Sequence, residues 1–436
     1  MLKQLKTHIT NQLDFLNEGK LLIAISGGID SVVLTHLCHE LNLKMSLAHC
    51  NFNLRAKESD ADEDLVLELA EDLDLEVFIE SFDTENYAKE HKLSIQMAAR
   101  ELRYSWFLEL SEQLQFDYIL TAHHADDNLE TFLINFTRGT GLDGLTGIPE
   151  VNGKFVRPLL PFSSEEISEF AKVNHIKWRD DSSNKSVKYL RNKLRHEVIP
   201  ILKEINPSLL QSFQSTLNNL NDTADIVEES TNAVLKKAIE TMDNDHISFK
   251  ISEFKKLNNP KAYLFEVFKD YGFTEWNDIL DLLDAETGKQ VFSQTHRLIK
   301  NRDHLLLSDI NEELSETIKI SEEEKQVETP FGTLFFDEAD ALFGKRTNVI
   351  FVDKKELKFP LAIRKYEEGD VFYPLGMSGK KKVSKYFKDE KLSLLDKENT
   401  WLLCSGSDIV WVINRRADNR FRVTENTKQI LKIELK

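Results

Sequence analysis

The sequence predicts an α/β protein in which a doubly wound parallel sheet is followed by a helical domain and a small α+β C-terminal domain. Over residues 21–122, four short apolar runs alternate with stretches of helical periodicity, which is typical of a parallel sheet with crossover helices. At 436 residues the chain also exceeds the roughly 250–300 residues over which a single core grows. We therefore expect three domains, at residues 1–200, 201–315 and 316–436.

Each predicted domain depends on a local pattern. The apolar runs predict strands at Leu21–Ser26, Met45–Cys50, Glu76–Glu80 and Tyr118–Thr121. From Asn206 to Glu240 the spacing of acidic and apolar residues predicts long helices with solvated faces, and these define the middle domain. In the last domain, Trp401–Cys404 and Ile409–Ile413 flank a short polar turn, which predicts a β-hairpin.

The composition is that of a globular protein, with 41% hydrophobic and 30% charged residues. No apolar run approaches the 18 or so residues of a membrane span, and the first 20 residues are polar, so we expect a cytoplasmic protein without a membrane partner. The three cysteines, Cys38, Cys50 and Cys404, are far apart and form no CxxC pair. This spacing argues against a disulfide framework, a zinc ribbon and an iron–sulfur site.

The net charge of −18 is distributed unevenly. Residues 58–76 contain ten acids and no bases, whereas residues 380–391 contain six lysines and two acids. Because polyanions bind to local clusters of Lys and Arg, Lys380, Lys381 and Lys382 are candidates for contact with a polyanionic partner. A solvated loop is the alternative interpretation.

The most specific motif is Ser26-Gly27-Gly28-Ile29-Asp30-Ser31, directly after the first strand and before a predicted helix. Glycines let the backbone approach phosphate closely, and a helix N-terminus presents free N–H groups to an anion. We predict that all six residues bind a nucleotide phosphate chain. The Asp30 carboxylate would repel phosphate unless a cation intervenes, so it is predicted to hold Mg²⁺. A glycine turn capped by Ser26 is the alternative.

A second group of polar residues, at positions 123–131, follows the fourth strand and therefore lies at the carboxyl edge of the sheet, where open α/β folds bind ligands. Asp127 and Glu130 are three residues apart on one helix face, which suits a metal contact or a general base. Carboxylates at a helix start are the alternative interpretation. No HExxH pattern or Cys partner accompanies the histidines, so zinc is not predicted.

Three weaker groups supply further candidates for substrate binding, although each could equally be surface charge. One follows the second strand, one shares a helical face, and one places two arginines four residues apart. These candidates are His49, Asn51 and Arg55; Arg100 and Arg103; and Arg191, Asn192 and Arg195.

Taken together, these segments resemble the tRNA(Ile)-lysidine synthetase family. The resemblance covers residues 21–200 and consists of SGGIDS, HCNFNLR, AARELRY, TAHHADDNLET with RGTGLDGLTGIP, and WRDDSSN followed by RNKLR. Residues 364–389, with their GMSGKKKV segment, resemble the family's C-terminal domain. Phe52 stands where members often have a second histidine. The SGGxDS hexapeptide also resembles the PP-loop of tRNA thiolases and NAD synthetases, and the missing CxxC weakens the thiolase interpretation.

The resemblance implies a PP-loop fold of the adenine nucleotide alpha-hydrolase kind and an ATP-dependent ligase that forms a carbon–nitrogen bond. The implied substrates are ATP, L-lysine and the isoleucine tRNA with anticodon CAU, whose first anticodon cytidine becomes lysidine, with Mg²⁺ as cofactor. Asp30, Asp127 and Glu130 would be catalytic, and Asp127 is a second candidate metal ligand. Which carboxylate is base, metal ligand or lysine binder stays open. The sequence leaves the oligomeric state open, a homodimer included. A PP-loop tRNA 2-thiolase and a non-catalytic ATP-binding module are the alternatives.

Overall fold

The computed structural model describes residues 1–54, 57–179, 190–242, 246–310, 317–339, 347–377 and 379–436. The chain divides into two compact units, Met1–Val227 and Glu228–Lys436. The first unit contains the predicted parallel sheet, and the second is built from antiparallel sheets with short helices. The three domain boundaries predicted from the sequence divide the chain differently and stay a prediction.

The first unit alternates strands and helices as its apolar pattern predicts. Its elements are α1 (Leu2–Gln12), β1 (Leu21–Ala24), α2 (Ile29–Glu40), β2 (Met45–Asn51), α3 (Lys57–Asp72), β3 (Val77–Ser81), α4 (Thr84–Glu90), α5 (Ile95–Gln113), β4 (Tyr118–Leu120), α6 (Ala125–Arg138), β5 (Val151–Asn152), β6 (Phe155–Val156), α7 (Ser164–Val173), α8 (Leu190–Lys193), α9 (Ile199–Ile205) and α10 (Leu209–Ala238). The last helix continues into the second unit. All four predicted strands are confirmed within two residues at each end.

The sheet of the first unit has the strand order β3-β2-β1-β4-β6-β5. Strands β1 to β4 and β6 are parallel, and β5 pairs antiparallel with β6 as a short edge hairpin. The chain leaves β1 toward β2 on one side and returns to β4 on the other, so the strand order reverses between β1 and β4. Such a switch point opens a crevice at the carboxyl ends of the strands, where this kind of sheet binds ligands.

Both faces of this sheet are buried, because successive side chains of a strand point to opposite faces. Leu21 and Ile23 face a core that includes Leu37 of α2 and Ile167 of α7. Leu22, which lies between them, faces a second core formed with α5. The predicted doubly wound architecture is therefore confirmed, and the helices on both faces fix the position of the loop that follows β1.

The second unit contains most of the strands. Its elements are β7 (Ile239–Met242), β8 (Ile247–Lys250), α11 (Ile251–Lys255), α12 (Pro260–Phe268), α13 (Trp276–Asp281), β9 (Gln290–Phe292), β10 (His296–Asn301), β11 (His304–Asp309), β12 (Ile318–Ile320), β13 (Gln326–Thr329), β14 (Gly332–Ala339), β15 (Val349–Asp353), β16 (Leu361–Lys365), β17 (Val371–Phe372), β18 (Lys381–Lys382), α14 (Val383–Asp389), α15 (Leu394–Glu398), β19 (Trp401–Ser405), β20 (Asp408–Val412), β21 (Arg416–Ala417) and β22 (Ile430–Leu435).

The middle of the chain combines the predicted helices with a sheet that the sequence analysis did not predict. The long helix is α10, and the sheet has the order β7-β8-β11-β10-β9 with antiparallel pairs. Its central hairpin turns at Arg302, which has a positive φ of 53°. Because glycine and asparagine are the usual residues at such a position, an arginine there gives no turn signal.

The C-terminal part confirms the predicted α+β class and the predicted hairpin, which is β19 and β20. The sheet β12-β16-β19-β20-β21 shares one apolar core with the sheet β13-β14-β22-β15 and a second core with α14. Leu403 lies in the first core and Leu402 in the second, as the alternation of a strand requires. Within the described ranges, no helix is both long enough and apolar enough to cross a membrane.

Candidate active site

The loop that joins β1 to α2 has the geometry of an anion cradle. The Ser31 hydroxyl donates to the Gly28 carbonyl at 3.0 Å and accepts from the Ser26 N–H at 3.1 Å, which closes the loop into a ring. Gly27 has a φ of +81°, a conformation that favours glycine. Gly28 is the N-cap of α2, so the first N–H groups of that helix have no partner within the helix.

This loop forms one wall of a cleft of about 370 Å³, a volume within the range of small-molecule sites. The other walls come from the ends of β2 and β4, from α5, and from the segments after α7 and at α8. The lining includes Ser26, Gly28, Asp30, Ser31, His49, Asn51, Phe52, Asp62, Arg103, Tyr104, His123, Asp127, Arg179 and Arg191. The cleft therefore lies at the switch point, where the sequence analysis expects the ligand.

The structure brings the two predicted carboxylates Asp30 and Asp127 to the same side chain. His124 is buried, and its Nε2 atom lies 3.8 Å from Asp30 Oδ1 and 3.4 Å from Asp127 Oδ2. The His124 backbone N–H donates to Asp127 Oδ2 at 3.2 Å. Burial raises the pKa of the Asp30 carboxyl, and the neighbouring His124 opposes that shift. Two carboxylates at one edge of the cleft thus face a common partner.

Glu130 has a different environment, because it is fully buried and paired with two arginines. Arg195 donates from Nε to Glu130 Oε1 at 2.5 Å and from Nη2 to Oε2 at 3.1 Å. Arg191 Nε lies 3.2 Å from Oε2. Burial raises the pKa of Glu130, and Arg195 opposes that shift. Arg195 also donates to Asp127 Oδ1 at 3.0 Å, so one guanidinium joins both carboxylates.

Among the other predicted residues of the first unit that the structure describes, His49, Asn51 and Arg103 also line the cleft. His49 and Asn51 are buried at the end of β2, where His49 Nδ1 lies 3.0 Å from the Ile25 carbonyl and Asn51 donates to Glu63 at 2.8 Å. The Arg103 guanidinium lies over the Phe52 ring. Exposed Arg100 stacks on Tyr104 and does not line the cleft. Asn192 lies on α8 between Arg191 and Arg195. Arg55 is outside the described residues.

The predicted lysines belong to the second unit. Lys380 and Lys382 are exposed, whereas Lys381 is 15% exposed and forms an ion pair with Asp389 at 2.7 Å. An ion-paired lysine is a poorer phosphate ligand than an exposed one, because its partner already neutralises its charge. The three adjacent lysines are therefore not equivalent.

Two ion pairs beside the site are not indicated by any pattern in the sequence. Arg179 pairs with Asp62, and Lys203 pairs with Asp126. Asp62 and Asp126 each have other acids nearby in the sequence. The spacing of charged residues therefore does not show which acid pairs with Arg179 or with Lys203. The WRDDSSN segment contains Arg179, and its position after an amphipathic helix is the signal that would have identified it.

The cysteines lack the properties of reactive thiols. Burial raises the pKa of Cys50, which lines the cleft, to about 12, and it does the same for Cys38. Among the described residues, no three His, Cys, Asp or Glu side chains form a group able to hold a metal ion. The raised pKa values do not favour a thiolase that uses one of these thiols as its nucleophile, because that chemistry needs an accessible thiolate.

A parallel sheet of this order with Ser26–Ser31 at its switch point defines the PP-loop class of ATP-utilising domains. The PP-loop domain model accordingly matches residues 1–202. Two further family models match parts of the remaining chain, the TilS substrate binding domain at residues 242–310 and the TilS substrate C-terminal domain at residues 361–435.

Curated relatives match over nearly the whole length. The tRNA(Ile)-lysidine synthase of Parabacteroides distasonis is 39% identical over 437 residues, covering 99% of each chain. That of Bacteroides thetaiotaomicron is 40% identical over 421 residues, covering 96% of this chain and 95% of the relative. That of Porphyromonas gingivalis strain W83 is 37% identical, covering 93% and 91%. The chain belongs to the tRNA(Ile)-lysidine synthase family. It is a ligase-type tRNA-modifying enzyme that uses ATP as a substrate.

Proposed function

We propose that this enzyme joins L-lysine to C2 of the first anticodon cytidine of the isoleucine tRNA with anticodon CAU, with release of AMP and pyrophosphate. One observation carries the proposal. The SGGIDS loop and the carboxylates Asp30 and Asp127 face a single cleft, in a chain that aligns over almost its full length with tRNA(Ile)-lysidine synthases.

The first step activates the base. The C2 carbonyl oxygen of cytosine is a poor leaving group, so it first attacks the α-phosphate of ATP and expels pyrophosphate. The leaving pyrophosphate gains negative charge, and the N–H groups at the start of α2 and the Ser26 and Ser31 hydroxyls are in position to stabilise it. The products of this step are a cytidine adenylated on its C2 oxygen and pyrophosphate.

The residues beside this loop fit a magnesium ion. Mg²⁺ is usually held by one or two carboxylates together with substrate phosphates and several waters. Asp30 is 38% exposed and Asp127 is 16% exposed, both line the cleft, and both lie within 4 Å of His124 Nε2. Asp30, with Asp127 as a second ligand, would hold the ion, and bound Mg²⁺ would neutralise charge on the phosphates.

The second step needs a neutral amine. The lysine ε-amine attacks C2, AMP leaves with the C2 oxygen, and the amine loses a proton. A free ε-amine has a pKa of about 10.4, so at neutral pH only about one in a thousand is deprotonated. Glu130 is fully buried, does not line the cleft and has both oxygens bonded to Arg195 or Arg191. Asp127 also accepts from Arg195 and from the His124 N–H, but it lines the cleft and is 16% exposed. We therefore assign Asp127 to bind the lysine amine or accept its proton, and Glu130 to hold the arginines.

Contact with the tRNA phosphates is proposed for the exposed lysines of the second unit. Lys380 and Lys382 are exposed and available for this contact, whereas Lys381 is ion-paired with Asp389. Arg191, Asn192 and Arg195 stay candidates for contact with the nucleotide. A homodimer and a cytoplasmic location stay predictions.

The proposed order of steps has a direct test. The enzyme is incubated with radiolabelled ATP and the CAU transcript, with and without lysine, and pyrophosphate release is followed. The proposal predicts tRNA-dependent pyrophosphate release without lysine, and AMP release only after lysine is added. Release of AMP and pyrophosphate without tRNA, or with a sulfur donor in place of lysine, would overturn it.

A further inference from the structure

The PP-loop of the first unit is held from two sides by residues outside the motif. The Arg179 backbone N–H donates to the Gly27 carbonyl at 3.1 Å. On the other side, the Asp62 carbonyl oxygen lies 3.4 Å from the position that a Cβ of Gly27 would occupy. Gly27, with a φ of +81°, thus has neighbours from the segment after α7 and from the first turns of α3, both distant in sequence.

The same two residues are joined to each other. Arg179 Nε donates to Asp62 Oδ1 at 2.7 Å, and both side chains line the cleft. Their exposed fractions are 40% and 17%. Arg179 therefore joins the two: its side chain is ion-paired with Asp62, and its backbone N–H is hydrogen-bonded to Gly27, next to which the Asp62 backbone lies.

The position of Asp62 is unexpected for an anion site. A carboxylate that lines a cleft for a nucleotide repels the phosphates, so electrostatics alone would favour a neutral residue there. A carboxylate at this position must therefore have a role that outweighs its repulsion of phosphate, and its ion pair with Arg179 indicates what that role is. We propose that Asp62 and Arg179 form a positioning pair that holds Gly27, and with it the N–H groups of the PP-loop, in the orientation that binds pyrophosphate. This inference rests on the proposed function.

A positioning role and a purely electrostatic role of Asp62 predict opposite effects of one substitution on ligand binding. Asp62→Asn removes a negative charge from the cleft, so a purely electrostatic role predicts tighter binding of ATP and inorganic pyrophosphate. A positioning role predicts weaker binding, because the neutral amide is a poorer partner for Arg179. We expect Asp62→Asn and Arg179→Ala each to raise the KM for ATP and the inhibition constant of pyrophosphate by about tenfold. Arg179→Lys keeps the cation and should recover part of the loss.

The chain offers a matched control. Lys177 and Glu68 form an ion pair at 2.5 Å between the same segment and the same helix α3, but this pair is exposed and does not line the cleft. Glu68→Gln should leave both constants unchanged. A second readout separates positioning from general damage to the fold. Transfer of lysine to tRNA that is already adenylated needs no pyrophosphate contact, so its rate in Asp62→Asn should equal that of the wild type.

The binding constants and lysine-transfer rates of these variants either support or overturn the positioning pair. Weaker binding of ATP and pyrophosphate in Asp62→Asn, with unchanged lysine transfer and an unaffected Glu68→Gln variant, supports the positioning pair. Equal or tighter binding in Asp62→Asn overturns it, and so does an equal loss in the ATP step and the lysine-transfer step. Failure of the proposed function would look different, since the wild-type enzyme itself would then release no pyrophosphate with the tRNA.

Discussion

Replacing Glu130 with Gln tests whether this residue acts on the substrate or on its two arginines. The substitution removes the charge that Arg191 and Arg195 share and places an amide N–H₂ group against guanidinium donors. We expect the rate of lysidine formation to fall at least about tenfold, because the Arg195 that also contacts Asp127 loses its anchor. We also expect a loss of folding stability, which a residue acting only on the substrate would not cause.

The size of that loss follows from the burial of the three side chains. Removing one partner of a fully buried ion pair costs about 3–5 kcal/mol. Glu130 is fully buried, but Arg191 and Arg195 are 44% and 35% exposed, so water compensates part of the loss. We expect about 2 kcal/mol of lost stability, which lowers the Tm of a unit of this size by about 4–8 °C.

Calorimetry of Glu130→Gln gives the change in Tm, and a steady-state assay gives the rate of lysidine formation. Glu68→Gln serves as the control, since it breaks an exposed ion pair and should shift the Tm by no more than about 2 °C. If Glu130→Gln loses its activity while its Tm equals that of the control, Glu130 acts directly in the chemistry, and the role we assign to the arginine pairs is wrong.

Four further predictions concern separate parts of the molecule. Asp30→Asn should leave the circular dichroism spectrum unchanged and abolish pyrophosphate release, because the predicted Mg²⁺ ligand is lost; wild-type turnover would refute that assignment. Cys50→Ser should retain the wild-type rate, since a thiol with a pKa of about 12 is not a nucleophile at neutral pH, and an inactive variant would revive the thiolase alternative. Replacing Lys380–Lys382 with Ala should weaken tRNA binding and reduce the slope of log K against log salt by about 1.4–1.8, as expected for two phosphate contacts; parallel slopes would show that these lysines touch no phosphate. Burial alone would raise the pKa of Asp126, but Lys203 and a backbone N–H lower it below its usual value, so this pair stabilises the fold above the ordinary carboxyl pKa of about 3.9 and loses that contribution as pH falls further. Lys203→Ala should therefore lower the Tm at pH 7 and have little effect at acid pH, and an equal decrease at both pH values would contradict the pairing.

The sequence was sufficient to predict the parallel sheet and its loop, because these depend on local patterns. Strands buried on both faces are continuous apolar runs, and a glycine-rich turn between strand and helix is recognisable without any tertiary information. The edge at which Asp30 and Asp127 meet also follows from the sequence, since the carboxyl ends of parallel strands lie together.

Ion-pair partners could not be predicted in the same way. Glu130 and Arg195 are 65 residues apart, and Asp62 and Arg179 are 117 residues apart. Each chain segment contains several other charged residues, so spacing does not select the pair. The antiparallel sheet of the middle region was missed for another reason, because its hairpin turns at Arg302 without the glycine or asparagine that usually marks such a turn.

Mass spectrometry of the first anticodon nucleoside shows whether the enzyme forms lysidine. The CAU isoleucine transcript is incubated with the enzyme, ATP and L-lysine, digested to nucleosides and compared with a transcript treated with the Asp30→Asn variant. We expect a nucleoside with the mass of cytidine plus lysine less one water, formed only by the wild-type enzyme and only when all three substrates are present. An unmodified cytidine, or one that has gained sulfur in place of its C2 oxygen, would show that the enzyme does not join lysine to this base.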